Sequence, residues 1–133
     1  MEVATSTEEA NKRAYVFPGQ GSQSVGMGTE LFESSRAARE TFEEADDSLG
    51  FPLSRLIFEG PAQGLQNTAN SQPAIMTMSV AAWRTWQEMQ GPEAMNAKAV
   101  AGHSLGEYTS LVAADVIDFS DAVKLVRDQK SVV

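Results

Sequence analysis

Cysteine is absent from this 133-residue chain. No disulfide, thiolate nucleophile or cysteine-based metal site can therefore form, and nothing points to an oxidising compartment. Basic residues are scarce: ten Lys and Arg stand against eighteen Asp and Glu, for a net charge of −8. That balance argues against nucleic acid or an anionic membrane as partner, since both reward clustered positive charge. Long hydrophobic runs are missing too. The most apolar stretch, Ala74 to Trp86, is too short and too interrupted to span a bilayer. The polar opening, Met1 to Arg13, lacks the apolar core of a signal peptide. No internal repeat or low-complexity tract is visible. A soluble, cytoplasmic protein is expected, and its 42% hydrophobic content suits one modest domain with a real core. Histidine occurs once, as His103.

The stretch around which the rest is organised is Gly102-His103-Ser104-Leu105-Gly106. It follows a small-apolar run, Ala97 to Ala101, that reads as a strand, and it precedes a segment that reads as a helix, Leu105 to Ala114. Strand, Gly-x-Ser-x-Gly and helix is the order a nucleophile elbow requires. The sharp turn would strain the serine backbone and crowd neighbouring chain, which residues without side chains tolerate. Ser104 would then stand clear of the sheet at a helix N-terminus, where free N–H groups and the helix dipole stabilise an oxyanion. The same pentapeptide occurs by chance in loops, and the flanking elements favour the functional reading here. His103 adjoins Ser104 in the turn and points elsewhere, so a hydrogen bond bracing the turn is expected of it rather than general-base work.

In chain order, residues 1–12 read as a flexible leader and 13–133 as the folded unit. Ala14 to Phe17 is expected as a first, buried strand. It runs into Pro18-Gly19-Gln20-Gly21-Ser22-Gln23, a loop at the C-terminal end of a strand, where α/β folds place ligand sites. This loop lacks the third glycine and the Lys-Ser/Thr of a phosphate cradle. Gly26 to Leu31 reads as a connector. Ser34 or Ser35 caps a helix to about Ser48, with Ala38, Phe42, Ala45 and Leu49 at helical spacing. The cluster Glu40, Glu43, Glu44, Asp46 and Asp47 reads as a solvated helix face rather than a catalytic carboxylate pair. Gly50-Phe51-Pro52 ends this helix, and Leu53 to Phe58 forms a short one closed by Gly60-Pro61. Asn67 to Asn70 is turn-like. Ser71-Gln72-Pro73 opens the longest helix, to about Gln90, with Pro73 in the first turn. Two apolar stripes, Ile75-Met78-Ala82-Trp86-Met89 and Met76-Val80-Trp83, predict burial against two partners as core filler. Asp118 reads as an N-cap with Asp121 as a capping-box variant and Ile117 and Ala122 as a staple. The last helix turns Phe119, Ala122, Val123 and Val126 inward.

Val16 to Gln23, Ser71-Gln72-Pro73-Ala74 and Gly102 to Tyr108, in that order, resemble malonyl-CoA:acyl carrier protein transacylases and the acyltransferase domains of fatty acid and polyketide synthases. The resemblance runs from about Arg13 to Arg127. It implies an α/β, hydrolase-like acyltransferase core, present in part, with parallel strands. It implies that Ser104 attacks the malonyl thioester of coenzyme A and holds the malonyl group as an ester. The phosphopantetheine thiol of acyl carrier protein then takes that group, in fatty acid biosynthesis. Backbone N–H groups of Gln20 and Leu105 would form the oxyanion hole. Gln72, Gly19, Gly21 and His103 would line the pocket, and Leu105 leans toward malonyl over methylmalonyl. No bound cofactor and no metal is implied. Coenzyme A enters as the thioester substrate.

Three departures bear on activity. Family members are much longer, and this chain resembles their N-terminal part. Their catalytic histidine lies in the part not matched. Their malonyl-binding arginine falls at Gln129, while Arg127, two residues earlier, turns about 200° away on a helix. A neutral Gln cannot make the bidentate, charge-assisted pair. The expectation is a truncated gene or interrupted frame whose product transfers malonyl groups poorly alone, with a separate C-terminal polypeptide as a complementing partner. Asp115 stands where relatives carry Gly, and Asp tolerates the left-handed conformation such a position needs. Other readings are a non-catalytic module binding acyl carrier protein or a synthase subunit, disfavoured by like charge, and a generic serine hydrolase.

Overall fold

Ala14 to Phe17, β-branched and aromatic in the middle, form strand β1. In the computed structural model, which describes residues 14–91 and 99–128, β1 pairs in parallel with β2 (Ala99–Gly102), from Ala14↔Ala99 to Phe17↔Gly102. Between them come α1 (Thr29–Ser34), α2 (Arg36–Leu49), α3 (Leu53–Glu59), α4 (Ala62–Gln66) and α5 (Thr68–Gln90), and after β2 come α6 (Leu105–Ala113) and α7 (Phe119–Asp128). The described chain is mostly helical around a small parallel sheet, a partial α/β core. The expected leader at 1–12 and the start of the second strand at Ala97 and Lys98 lie outside the described residues.

Local chemistry sets the helix ends. The Ser35 hydroxyl accepts the Ala38 N–H at 3.1 Å and starts α2, as expected. Gly50, at φ 75°, ends it. Ala38, Phe42 and Ala45 are fully buried along this helix, and Phe42 packs its ring against Phe32 and Phe58. The acidic run is not uniformly solvated. Asp46 accepts the Ser54 N–H at 2.8 Å and holds the start of α3, and Glu44 pairs with Arg84 at 2.8 Å. Glu40 pairs with exposed Arg36, and Glu43 and Asp47 face solvent.

Three boundaries differ from the sequence reading. Thr29 to Ser34 form a helix where a connector was expected, and Ala62 to Gln66 form a short helix anchored by buried Leu65. The long helix α5 begins at Thr68 because the Asn67 side chain accepts the Ala69 N–H at 3.0 Å. Pro73 therefore sits in the second turn, where it removes one main-chain bond, that to Ala69. A side-chain cap outranked proline as the start signal.

The core gathers where α5 packs on α2, α6 and α7. Ile75, Met76, Val80 and Ala81 of α5 meet Phe42, Leu105, Phe119, Ala122, Val123 and Val126 there. Burying such side chains contributes roughly 1.5–3 kcal/mol each. A smaller cluster joins the sheet to α5 through Phe17, Trp83, Trp86 and Ala113. Tyr15 lies edge-on to Trp83 at 4.7 Å and accepts the Trp86 indole N–H at 3.1 Å. Of the two expected stripes, Met76-Val80-Trp83 is buried. In the other, Ala82 is exposed and Met89 is 73% exposed, since no described element covers that side of the C-terminal half of α5. β1 is likewise no buried strand: Phe17 alone is buried and Val16 is 75% exposed. Parallel strands are buried when both faces are covered and both edges paired, and among the described residues β1 pairs with β2 alone. Among the described residues no helix is long and apolar enough to cross a membrane.

Candidate functional site

β2 ends at Gly102, and the chain reverses into α6 within two residues. The His103 N–H donates to the Phe17 carbonyl at 3.3 Å, carrying the β1–β2 ladder one step past the strand. Ser104 follows at φ 56°, ψ −111°, a left-handed conformation that costs a non-glycine residue about 1–3 kcal/mol. Two bonds close the turn: Gly106 N–H to the His103 carbonyl and Glu107 N–H to the Ser104 carbonyl, both at 3.0 Å.

Steric demand explains the glycines. A Cβ on Gly102 would overlap the backbone of Gly106, and a Cβ on Gly106 would overlap the Phe17 carbonyl. The first glycine lets the helix fold back on the strand. The second lets the helix press against the end of β1. Ser104 is exposed as a result, while Leu105 beside it is buried at 3% exposure. The Ser104 side chain makes no cap bond to α6, so its hydroxyl is not committed to the helix.

The Gly19-Gln20-Gly21 loop lies against this turn. A Cβ on Gly19 would come 2.5 Å from the His103 carbonyl oxygen and 3.5 Å from the imidazole Nδ1. The loop is shaped from within: Ser22 Oγ donates to the Gly19 carbonyl at 2.8 Å, and Gly21 N–H donates to Gln23 Oε1 at 2.9 Å. Gly21 itself takes φ 104°. The Gln20 N–H makes no backbone hydrogen bond among the described residues. Leu105 N–H, first in α6, has no acceptor within its helix.

Gln20 reaches across to α5, where its Nε2 donates to Thr68 Oγ1 at 3.2 Å. Gln72, half-buried, lies one helical turn beyond Thr68 on the same face of α5. Three stretches far apart in sequence, the Gln20 loop, the first turns of α5 and the elbow, thus meet at one end of the sheet. Thr68 was not legible as part of this group. Its signal, the spacing of four from Gln72, was hidden by starting α5 at Ser71.

His103 braces the turn through its main chain, its N–H donating to Phe17 and its carbonyl accepting from Gly106, while the residue itself is exposed. Arg127 stacks on Phe51, its guanidinium carbon 5.0 Å from the ring centroid, at the turn after α2. Gln129 lies outside the described residues. Asp115 takes φ 59° just after α6. Among the described residues no three His, Cys, Asp or Glu side chains gather as a metal site would need.

Residues 14–131 match the acyl transferase domain family. The malonyl CoA-acyl carrier protein transacylase of Salmonella typhimurium is 53% identical over 115 residues, which cover 85% of this chain and 36% of that protein. The Bacillus subtilis protein of the same name is 50% identical over 117 residues, 88% of this chain and 36% of its own length. An acyl carrier protein S-malonyltransferase from Vibrio cholerae superposes with a TM-score of 0.82 at 47% identity, covering 89% of this chain and 38% of that one. A malonyl-transacylase solved in complex with a type II PKS acyl-carrier protein gives 0.84 at 46% identity, covering 90% and 38%. This chain thus spans about a third of the length of the curated relatives it matches. With a family match that takes in nearly all of the sequence, the chain belongs to the acyl transferase domain family.

Proposed function

We propose that Ser104 is an acyl-accepting nucleophile in malonyl transfer from coenzyme A to acyl carrier protein, with the N–H groups of Gln20 and Leu105 as oxyanion donors. The observation that carries this reading is the exposed Ser104 at φ 56°, with the Gln20 loop packed on the neighbouring His103. In the first half-reaction Ser104 Oγ bonds to the thioester carbonyl carbon as its C–S bond breaks. The hydroxyl proton leaves to a base, and coenzyme A departs as the thiol. In the second, the phosphopantetheine thiol of the carrier attacks the ester, and Ser104 regains its proton. Both steps pass through a tetrahedral oxyanion, where each preorganised donor is worth about 10²–10³ in rate. Gln72, Gly19, Gly21 and His103 would line the acyl pocket.

The single histidine of the sequence, His103, is adjacent to Ser104 and unsuited to take its proton. Acylation of this chain alone is therefore slow, with solvent as base. A polypeptide carrying the portion of the Salmonella relative beyond the match would accelerate it. The test is intact-mass and peptide mapping after hours with malonyl-CoA. One malonyl group on Ser104, absent from Ser104→Ala, supports the reading. No label at Ser104, or equal label on Ser104→Ala, overturns it.

A further inference from the structure

We infer that Thr68 is a positioning residue for the oxyanion hole, acting through the side chain of Gln20; this rests on the acyl-transfer reading above. Gln20 sits at the tip of a solvent-exposed loop between two glycines; its N–H shares a peptide plane with the Gly19 carbonyl, which Ser22 Oγ holds from within the loop, so what needs fixing is the loop as a whole. Its neighbours' bonds lie within the loop: Ser22 to Gly19, and Gly21 to Gln23. Among the described residues, Gln20 is tied to a rigid element by Nε2 to Thr68 Oγ1 at 3.2 Å, bridging 48 residues of sequence. A hydroxyl both donates and accepts, so this tie survives either orientation of the carboxamide.

The anchor point is well held. Thr68 is the first residue of a 23-residue helix. Asn67 caps that helix through Ala69 at 3.0 Å, and Asn70 Nδ2 donates to the Gly64 carbonyl at 2.9 Å. Gly19 bears on the His103 carbonyl from the other side. The loop is thus clamped at two points, the elbow and α5, with the Gln20 peptide between them. Removing the α5 clamp lets the loop, and the Gln20 amide it carries, shift away from the developing oxyanion, a loss felt in the chemical step and not in substrate capture.

The experiment compares Thr68→Val, which keeps the shape and loses the hydroxyl, with Thr68→Ser, which keeps the hydroxyl. Two readouts are taken on the whole chain: the ¹⁵N order parameter of the Gln20 amide, and single-turnover acylation of Ser104 by p-nitrophenyl acetate, whose good leaving group needs no protonation. Thr68→Val is expected to lower the Gln20 order parameter and to slow maximal acylation about tenfold, the equivalent of one lost hydrogen bond. The half-saturating ester concentration should stay within about twofold, and Thr68→Ser should match the parent in both readouts. An unchanged Gln20 order parameter in Thr68→Val, an unchanged acylation rate, or a Thr68→Ser as impaired as Thr68→Val overturns the inference. If the parent chain shows no acylation at Ser104, the acyl-transfer reading fails, and the anchoring of Gln20 is judged on the order parameter alone.

Discussion

The carbonyl of Phe17, last residue of β1, lies so close to the Cα of Gly106 that any side chain there would overlap it. These residues are 89 positions apart, yet their contact fixes how α6 leans on the sheet and how Ser104 is presented. Gly106→Ala reverses the usual helix rule. In an exposed helix interior the change would gain up to about 1 kcal/mol; here the methyl meets main chain that cannot move aside. A loss of about 2–4 kcal/mol is expected, measured as a lowered urea midpoint, together with loss of acyl labelling at Ser104.

Ser104 stores backbone strain at φ 56°. Ser104→Gly should relieve it and raise stability by about 1 kcal/mol after the entropy cost of glycine. Ser104→Ala should leave stability unchanged within about 0.5 kcal/mol, since the backbone demand is the same. Thermal unfolding of the two variants separates strain from hydroxyl chemistry. Equal melting temperatures would show that the turn is relaxed.

Asp115 is the second non-glycine residue at positive φ, 59°. Asp115→Gly should be neutral to stabilising by up to about 1 kcal/mol. Asp115→Val should destabilise by about 1–2 kcal/mol, because a β-branched side chain fits the left-handed region poorly. Chemical denaturation of the pair checks the sign of each.

Arg84 joins three elements. It donates to Glu44 at 2.8 Å and to buried Thr41 at 3.2 Å, and it lies over the Phe119 ring at 5.2 Å. The ion pair is partly solvated, with side chains 33% and 38% exposed, so its charge contributes little. Arg84→Met keeps the apolar stem and should lose about 1 kcal/mol, while Arg84→Ala should lose about 2 kcal/mol through packing as well. A greater loss in Arg84→Met than in Arg84→Ala would refute the stem-packing account.

Val16 is 75% exposed on β1, whose second edge pairs with nothing described. It lies beside a cavity of about 330 Å³ lined by Tyr15, Phe17, Met78, Ala82, Trp83 and Trp86. An open apolar edge favours association. Val16→Lys should shift the chain toward monomer in light scattering at high concentration, with secondary structure by circular dichroism unchanged.

Much of the fold was legible because local chemistry dictates it. The β-prone run Ala14 to Phe17, the Ser35 cap, the Phe42 stripe and Gly50 all act within a turn or two of chain. The turn at Ser104 was legible because Gly102 and Gly106 are fixed by steric contacts with main chain, so the motif carries that local geometry with it. What failed was either a competition between two local signals or a contact of longer reach. Pro73 was read as a start signal although the Asn67 cap outranked it, and that shift concealed Thr68. Asp46 and Glu44 looked solvated because their partners, Ser54 and Arg84, lie 8 and 40 residues away.

By itself, then, the sequence determined both strands, most of the longer helices, the Gly-x-Ser-x-Gly turn and the family whose pattern it carries, because turns, caps and periodicity are properties of neighbouring residues. Only the tertiary structure decided that Gly19 rests on His103, that Gln20 reaches Thr68 and that Val16 stays exposed. Those relationships depend on which surfaces remain uncovered once β1, α5 and α6 have packed, and no local stretch of chain encodes that.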